Sequence, residues 1–387
     1  MTDPLGQSQV LPYIINLSKE NYTFHLVSFE KPERFNKNKS LIKKICYENN
    51  IEWHPLNYTK NPPVLSTLWD LAKLNQKIKK LGRKTAFDMI HCRSYIPAIF
   101  GLKFKRKWNA KLLFDMRGFW ADERVDGGLW NKNKFPFNKI YNYFKRKEKE
   151  LLIHSDHTIS LTHNGKNELL LNPDKDDYAP ISVIPCCADT SLFEIKKRTT
   201  VQFTVGYLGS LGTWYMLDEM LVFFKRILEI YPDALFHFLS KEPASLIYDK
   251  AKELDISSSH FLIEESSRNN IPIKTKNWNF SFVFITPSYS KKFSSPTKQG
   301  ELMAMGIPII CNEGVGDMDE IVIKFNSGVI VSTNEIANLN IHNILQKSFK
   351  KEQIRKGGIE YFSLKKGVKM YLEIYDKYLN KTLVKNK

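Results

Sequence analysis

The sequence predicts an α/β fold of two doubly wound, parallel-sheet domains around a cleft. Short β-like runs alternate with helix-length amphipathic segments from end to end, the signature of βαβ units. The runs are apolar without alternation, as strands covered on both faces are. At 387 residues and 42% apolar composition, the chain can fill two cores. The strands expected in the first half are Phe24–Phe29, Asp88–Cys92, Lys111–Arg117, His157–Leu161 and Ile181–Pro185. Those in the second are Phe203–Gly209, Ala234–Leu239, Phe261–Glu264, Phe280–Ile285 and Ile307–Cys311. The pattern breaks at 190–202, where KKRTTVQ brings charge and polar β-branched residues. The predicted domains are therefore 1–195 and 200–365, followed by a basic helix at 366–387. No short-period repeat or low-complexity tract is visible.

A doubly wound domain normally opens with a buried central strand, then a glycine turn and a helix. This chain opens at the turn, Asp3-Pro4-Leu5-Gly6-Gln7-Ser8-Gln9, with a helix expected from about Val10 to Lys19. The expectation is that the first strand is missing and that Met1 is internal to a longer reading frame.

The formal charge is +17, and it is unevenly spread. Residues 1–190 hold 31 basic against 20 acidic groups, and 350–387 hold 11 against 4, which leaves the middle near neutral. Basic runs such as KIKKLGRK (77–84) and KFKRK (103–107) lie beside apolar residues. Such a face suits an anionic lipid surface, at ~1 kcal/mol per well-placed cation. A solvated face is the plainer reading. Nucleic acid is not an expected partner, because no recognised binding motif accompanies the charge.

Five cysteines without a CxxC spacing read as reduced thiols, with the vicinal Cys186 and Cys187 as small core-filling residues. No stretch approaches the ~20 apolar residues of a membrane span, and the N-terminus lacks a signal-peptide pattern. A cytoplasmic location is expected, peripheral on the inner face of the plasma membrane if the basic face binds lipid.

Three segments carry candidate chemistry. In GYLGSLGTWYM (206–216) a strand runs into glycines and then a helix, so backbone amides near Gly209 and Ser210 could approach a phosphate. In SSPTKQGELMAMGIP (294–308), Ser295 reads as an N-cap and Pro296 as the first helical residue, followed by Thr297. Lys298 and Glu301, three apart, share a helix face. The ammonium suits a diphosphate, the carboxylate suits ribose hydroxyls, and a surface ion pair is the alternative. The third segment, DMRGFWADER (115–124), leaves an apolar strand. Its Asp115, Arg117, Asp122 and Glu123 could position an acceptor hydroxyl or stabilise a leaving phosphate, or form a salt-bridged loop. His91, inside DMIHC, fits a core or an active-site role.

PLGQSQVLPYI, VIPCCADTSLF, GYLGSLGTWYM and SPTKQGELMAMGIPII occur in that order. Together they resemble the retaining glycosyltransferases of family 4, of the bacterial surface-polysaccharide type, which have the GT-B architecture of two Rossmann-like domains. The resemblance implies a nucleotide-sugar donor on the C-terminal domain, an acceptor on the N-terminal domain, and a last helix that crosses back. It places Glu301 on the ribose, and Lys298, Gly209 and Ser210 on the diphosphate, with Ser295 and Thr297 in the same motif. Gly6 and Gln7 close over the donor. No cofactor and no metal are implied, and no Asp-x-Asp set stands where a metal–diphosphate site would be expected. The chain departs from the family pattern twice: Phe293 stands where a first glutamate is common, and Arg117 where a strand-end histidine is common. Arginine cannot serve as a base, but it can hold charge on a departing diphosphate. Asp115, Asp122 or Glu123 then remain to orient the acceptor hydroxyl.

The expected function is transfer of a sugar, with retention, from a nucleotide-diphosphate sugar to a glycan or lipid-linked acceptor in surface-polysaccharide synthesis. The alternatives are a catalytically silent GT-B-like glycan-binding or assembly subunit, and a sugar-nucleotide epimerase.

Overall fold

Twelve strands, not ten, form the sheets of the computed structural model, which describes residues 1–62 and 65–379. They are β1 (Phe24–Glu30), β2 (Ile51–Asn57), β3 (Met89–Arg93), β4 (Lys111–Asp115), β5 (His157–Ser160) and β6 (Ile181–Val183), then β7 (Thr204–Leu208), β8 (Leu235–Leu239), β9 (Phe261–Glu264), β10 (Phe280–Val283), β11 (Ile309–Asn312) and β12 (Gly328–Val331). The fold is α/β, with parallel sheets in two Rossmann-like domains. The last eight residues of the expected basic tail, 380–387, lie outside the described residues.

Two strands escaped the sequence reading. β2 carries Pro55 and an alternating, half-buried pattern, so it lacks the unbroken apolar run that marks a two-sided strand. β12 is only four residues long. The helix expected from about Val10 to Lys19 appears as Leu11–Leu17, and the turn expected before it is corrected to a helix, Pro4–Gln9. Pro4 starts this helix, so Gly6 and Gln7 sit on a helix rather than in a turn. Pro12 has no N–H to extend the ladder, and Val10 (φ −128°, ψ −61°) breaks it.

By compactness the chain divides into two units. The first holds Met1–Asp115, Leu151–Thr158 and the chain from Leu364. In it, β1 and β2 pair in parallel, with Phe24 opposite Ile51 and Glu30 opposite Asn57. The helix Pro32–Glu48 between them buries Ile42 and Cys46 against Leu11, Ile51 and the partly buried Leu26 and Trp53. β3 pairs with β4 in parallel, Met89 opposite Lys111. The helix Leu364–Leu379 presents Tyr371 edge-on to Tyr13 (5.5 Å) and Tyr375 edge-on to Tyr22 (5.3 Å).

The second unit holds 116–150 and 159–363. Its six-stranded sheet runs β12-β11-β10-β7-β8-β9. Connections lead one way from β7 and the other way from β10, so the switch point lies between these strands, where such sheets bind ligands at their carboxyl ends. Phe236, Phe238 and Phe282 are fully buried on one face beneath Phe223 and Phe224 of the helix Leu217–Leu228. The other face buries Leu239, Trp278 and Val283 with Leu302. Gly206 of β7 lies flat under Trp278, where an added Cβ would sit 1.9 Å from the indole.

Candidate donor site and its surroundings

The polypeptide leaves β7 through Gly209, at φ +119°, a conformation that side-chain-bearing residues rarely adopt. A Cβ there would meet the Lys298 ammonium at 3.3 Å. The next helix starts only at Leu217, so the expected glycine turn into a helix is corrected to an eight-residue loop, 209–216. That loop supplies Tyr215 and Trp214.

The second motif starts its helix one residue later than its sequence suggests. The helix is Thr297–Ala304, with Pro296 in the cap position. Ser295 is not the N-cap: its Oγ accepts from the backbone N–H of Cys186 at 3.1 Å. Lys298 and Glu301 are nevertheless on one face of this helix, and both are buried, at 8% and 5% exposure. The surface ion-pair alternative therefore fails for these two residues.

Lys298 Nζ donates to the Tyr207 hydroxyl at 3.1 Å and lies 3.9 and 4.3 Å from the ring centres of Tyr215 and Tyr207. Among the described residues no carboxylate pairs with it. Aromatic faces favour the ammonium, burial opposes it, and burial wins. The Lys298 pKa is pushed down to about 7, with Glu301 partly offsetting the burial. Glu301 takes Arg268 as its ion partner at 2.7 Å. Burial raises its pKa, against the pull of Arg268 and Lys298. The Arg268 guanidinium in turn lies over the Phe193 ring, 4.8 Å away. A buried ammonium without a carboxylate partner among the described residues and a buried carboxylate held by one guanidinium, at a switch point, can take a diphosphate and a pair of hydroxyls.

Arg117 lies beside Cys186. It sits just after β4, which ends at Asp115 rather than Arg117, because Arg117 adopts φ +64°. Its Nη2 lies 3.0 Å from Cys186 Sγ, and Cys186 also binds Ser295. Neither Cys186 nor Cys187 forms a disulfide, and both are buried, as small core-filling residues are.

The remainder of the 115–124 segment meets compensating charges. Asp122 accepts from the Tyr141 hydroxyl (2.7 Å) and from Lys145 (2.9 Å), which also binds Glu148. Glu123 pairs with the buried Lys291 at 2.7 Å, and Lys291 stands 3.6 Å from the Trp214 ring centre. Asp126 accepts from the Ser290 N–H at 2.9 Å. Phe293 is a packing residue: it meets Phe119 edge-on at 5.0 Å, and Gly165 leaves room for its ring, since a Cβ there would sit 2.4 Å away.

The other sequence candidates lie in the first unit. Asp115 is buried, with His91 Nε2 at 3.9 Å, Arg93 at 3.8 Å and the Tyr371 hydroxyl at 3.4 Å. His91 Nδ1 is 2.8 Å from the Tyr375 hydroxyl. Gln7 donates to the Thr2 carbonyl at 3.1 Å, and Gly6 is buried against Met1.

Two family models cover most of the chain: glycosyltransferase family 4 over residues 10–192 and glycosyl transferases group 1 over 189–361. This is a glycosyltransferase of the family 4, GT-B type. No curated protein matches it in sequence. Among solved structures it is similar to sucrose-phosphate synthase from Thermosynechococcus elongatus (14% identity, TM-score 0.68, covering 93% of this chain and 100% of that one). It is also similar to Anabaena HepE in complex with UDP and glucose (11%, TM-score 0.63, covering 98% of each). A putative UDP-N-acetylglucosamine 2-epimerase from Listeria monocytogenes has the same fold (13%, TM-score 0.56, covering 97% and 93%). At such identities the likeness establishes the fold and no more.

Sequence reasoning missed Tyr207, Tyr215, Arg268 and Lys291 in this glycosyltransferase. The two tyrosines lie inside a motif it did read, but aromatics in a strand and loop look like core. Arg268 is 33 residues from Glu301, and no local pattern joins them. No described helix is long and apolar enough to cross a membrane.

Proposed function

We propose that this chain is a retaining glycosyltransferase that moves a sugar from a nucleotide-diphosphate sugar to a glycan or lipid-linked acceptor in surface-polysaccharide synthesis. The observation that carries the reading is the buried, mutually unpaired placement of Lys298 and Glu301 beside Gly209. In this proposal Glu301 accepts hydrogen bonds from the ribose, while Arg268 swings off it or shares it. Lys298 and the free N–H groups at the start of the Thr297–Ala304 helix hold the diphosphate, with Gly209 and Ser210 closing over it. Charge on the departing diphosphate is met by these groups, and by Arg117 through its place beside Cys186 and Ser295, so that the chemistry runs without a metal. The leaving phosphate takes the acceptor proton as the acceptor attacks from the same face. Glu123 and Asp122 hold the helix Trp120–Asp126 in place. Crystals of HepE with UDP and glucose support a nucleotide-sugar donor by analogy of fold. The basic first half supports a lipid surface as the place of work.

The test is thermal stabilisation by UDP, GDP, CMP and ADP. A shift with at least one nucleotide is expected, because a ligand that binds only the native state raises its stability. Glu301→Ala and Lys298→Ala should each weaken it. Turnover of the matching donor sugar, with the product anomer read by NMR, then checks transfer and retention. No shift with any of the four nucleotides, or shifts unchanged in both variants, would overturn the donor site.

A further inference from the structure

The two-stranded sheet of the first unit carries a cluster that sugar transfer does not use. The register sets His25 opposite Glu52, and His54 follows Glu52 by two residues, so the three side chains leave the sheet on one face. The opposite face sends Leu26 and Trp53 to the apolar cluster of Ile42 and Cys46. On the first face, His25 Nδ1 lies 3.2 Å from His54 Nε2 and 3.2 Å from Glu52 Oε2, while His54 Nε2 lies 3.7 Å from that same oxygen. The imidazoles are stacked at 12°, with centres 5.4 Å apart, and Phe87 stands edge-on to His25 at 5.1 Å. Both histidine side chains are largely buried, at 11% and 14% exposure, whereas Glu52 is 63% exposed.

We propose that His25, Glu52 and His54 form a binding site for one divalent transition-metal cation of the Zn2+ class, which ties β1 to β2. A tetrahedral zinc with bonds of about 2.0–2.1 Å holds its ligand atoms about 3.3 Å apart, and the three separations here bracket that value. Two imidazoles and one carboxylate suit zinc and its neighbours in the Irving–Williams order, whereas magnesium and calcium take oxygen ligands. Glu52 marks the open side, where water completes the coordination. Lys77 acts on His54 electrostatically as a positive charge. Lys77 also repels the cation, so it sets a ceiling on affinity.

The experiment titrates the tag-free full chain, stripped by a chelator, with Zn2+ and separately with Co2+. One equivalent of Zn2+ should bind and raise the melting temperature, and Co2+ should show the visible bands of a tetrahedral centre. Loss of an outer-shell partner alone weakens metal sites 10–100-fold, so His25→Asn and His54→Asn should each cost about 100-fold or more. Lys77→Gln, which removes no ligand, should tighten binding. Circular dichroism of the metal-free variants separates loss of a ligand from loss of fold. The proposal is overturned if the wild type binds no equivalent, if Co2+ shows no tetrahedral bands, or if binding survives the double His25→Asn/His54→Asn change.

Discussion

Asp122 and Lys298 are almost equally buried, at 7% and 8% exposure, yet their surroundings treat them in opposite ways. Asp122 receives a hydroxyl from Tyr141 and an ammonium from Lys145. Burial lowers the Lys145 pKa, but the Glu148 and Asp122 carboxylates outweigh it and push the value above its ordinary one. Lys298 receives one tyrosine hydroxyl and two aromatic faces, and its pKa falls to about 7. A buried charge that the protein itself neutralises holds structure together; breaking it exposes the partner to the full desolvation cost. A buried charge left under-compensated is held ready for charge that arrives with a ligand. Asp122 and Lys298 look alike as charges in a sequence, and compensation is what separates them.

The largest expected effect tests the compensated side. Asp122→Asn should destabilise the fold by roughly 3 kcal/mol, because Lys145 keeps only Glu148; chemical denaturation reads this, and nucleotide affinity should stay unchanged. If affinity collapses with little loss of stability, the contrast between the two segments is broken. Next, Glu301→Ala should cost roughly 1.5–3 kcal/mol of nucleotide binding, or about 10–100-fold in Kd by calorimetry, with the fold intact. Lys298→Met should abolish much of the binding while stabilising the ligand-free protein, by about 2–4 °C in Tm for each kcal/mol recovered.

The same lysine gives a pH dependence. Its folded pKa of about 7 lies below the ordinary value of 10.5, so between these pH values the unfolded chain binds the extra proton. Stability of the ligand-free protein from this group therefore rises with pH across that window. Diphosphate binding needs the ammonium, so affinity should fall as pH rises above 7, with proton uptake on binding. Calorimetry in buffers of different ionisation enthalpy measures both, and a flat profile in the wild type would contradict the assignment. The smallest effect is expected at Glu123→Gln. Its carboxylate is 43% exposed in the pair with Lys291, so the loss should stay under about 1 kcal/mol.

Much of the architecture was legible because apolar runs and their spacing are local properties. Ten of the twelve strands appear where the sequence places them, with ends moved by at most two residues. The misses have physical causes: β2 is half-buried, β12 is short, and Pro4 starts a helix where a turn was expected. The glycine loop and the Ser-Pro-Thr helix start were readable as motifs, because φ requirements and caps act over a few residues. Ser295 was misread as a cap because its true partner, the Cys186 amide, is 109 residues away.

By itself the sequence determined the α/β class, the positions of ten of its strands, the basic first half, and the placement of Lys298 and Glu301 on one helix face. All of these follow from neighbours within a turn or a strand. Only the tertiary structure decided which charges are neutralised and which are not, that Arg268 meets Glu301, that Tyr207 and Tyr215 cage Lys298, and that His25, Glu52 and His54 converge. Those outcomes depend on burial and on partners dozens of residues away, and no local pattern encodes the dielectric around a charge.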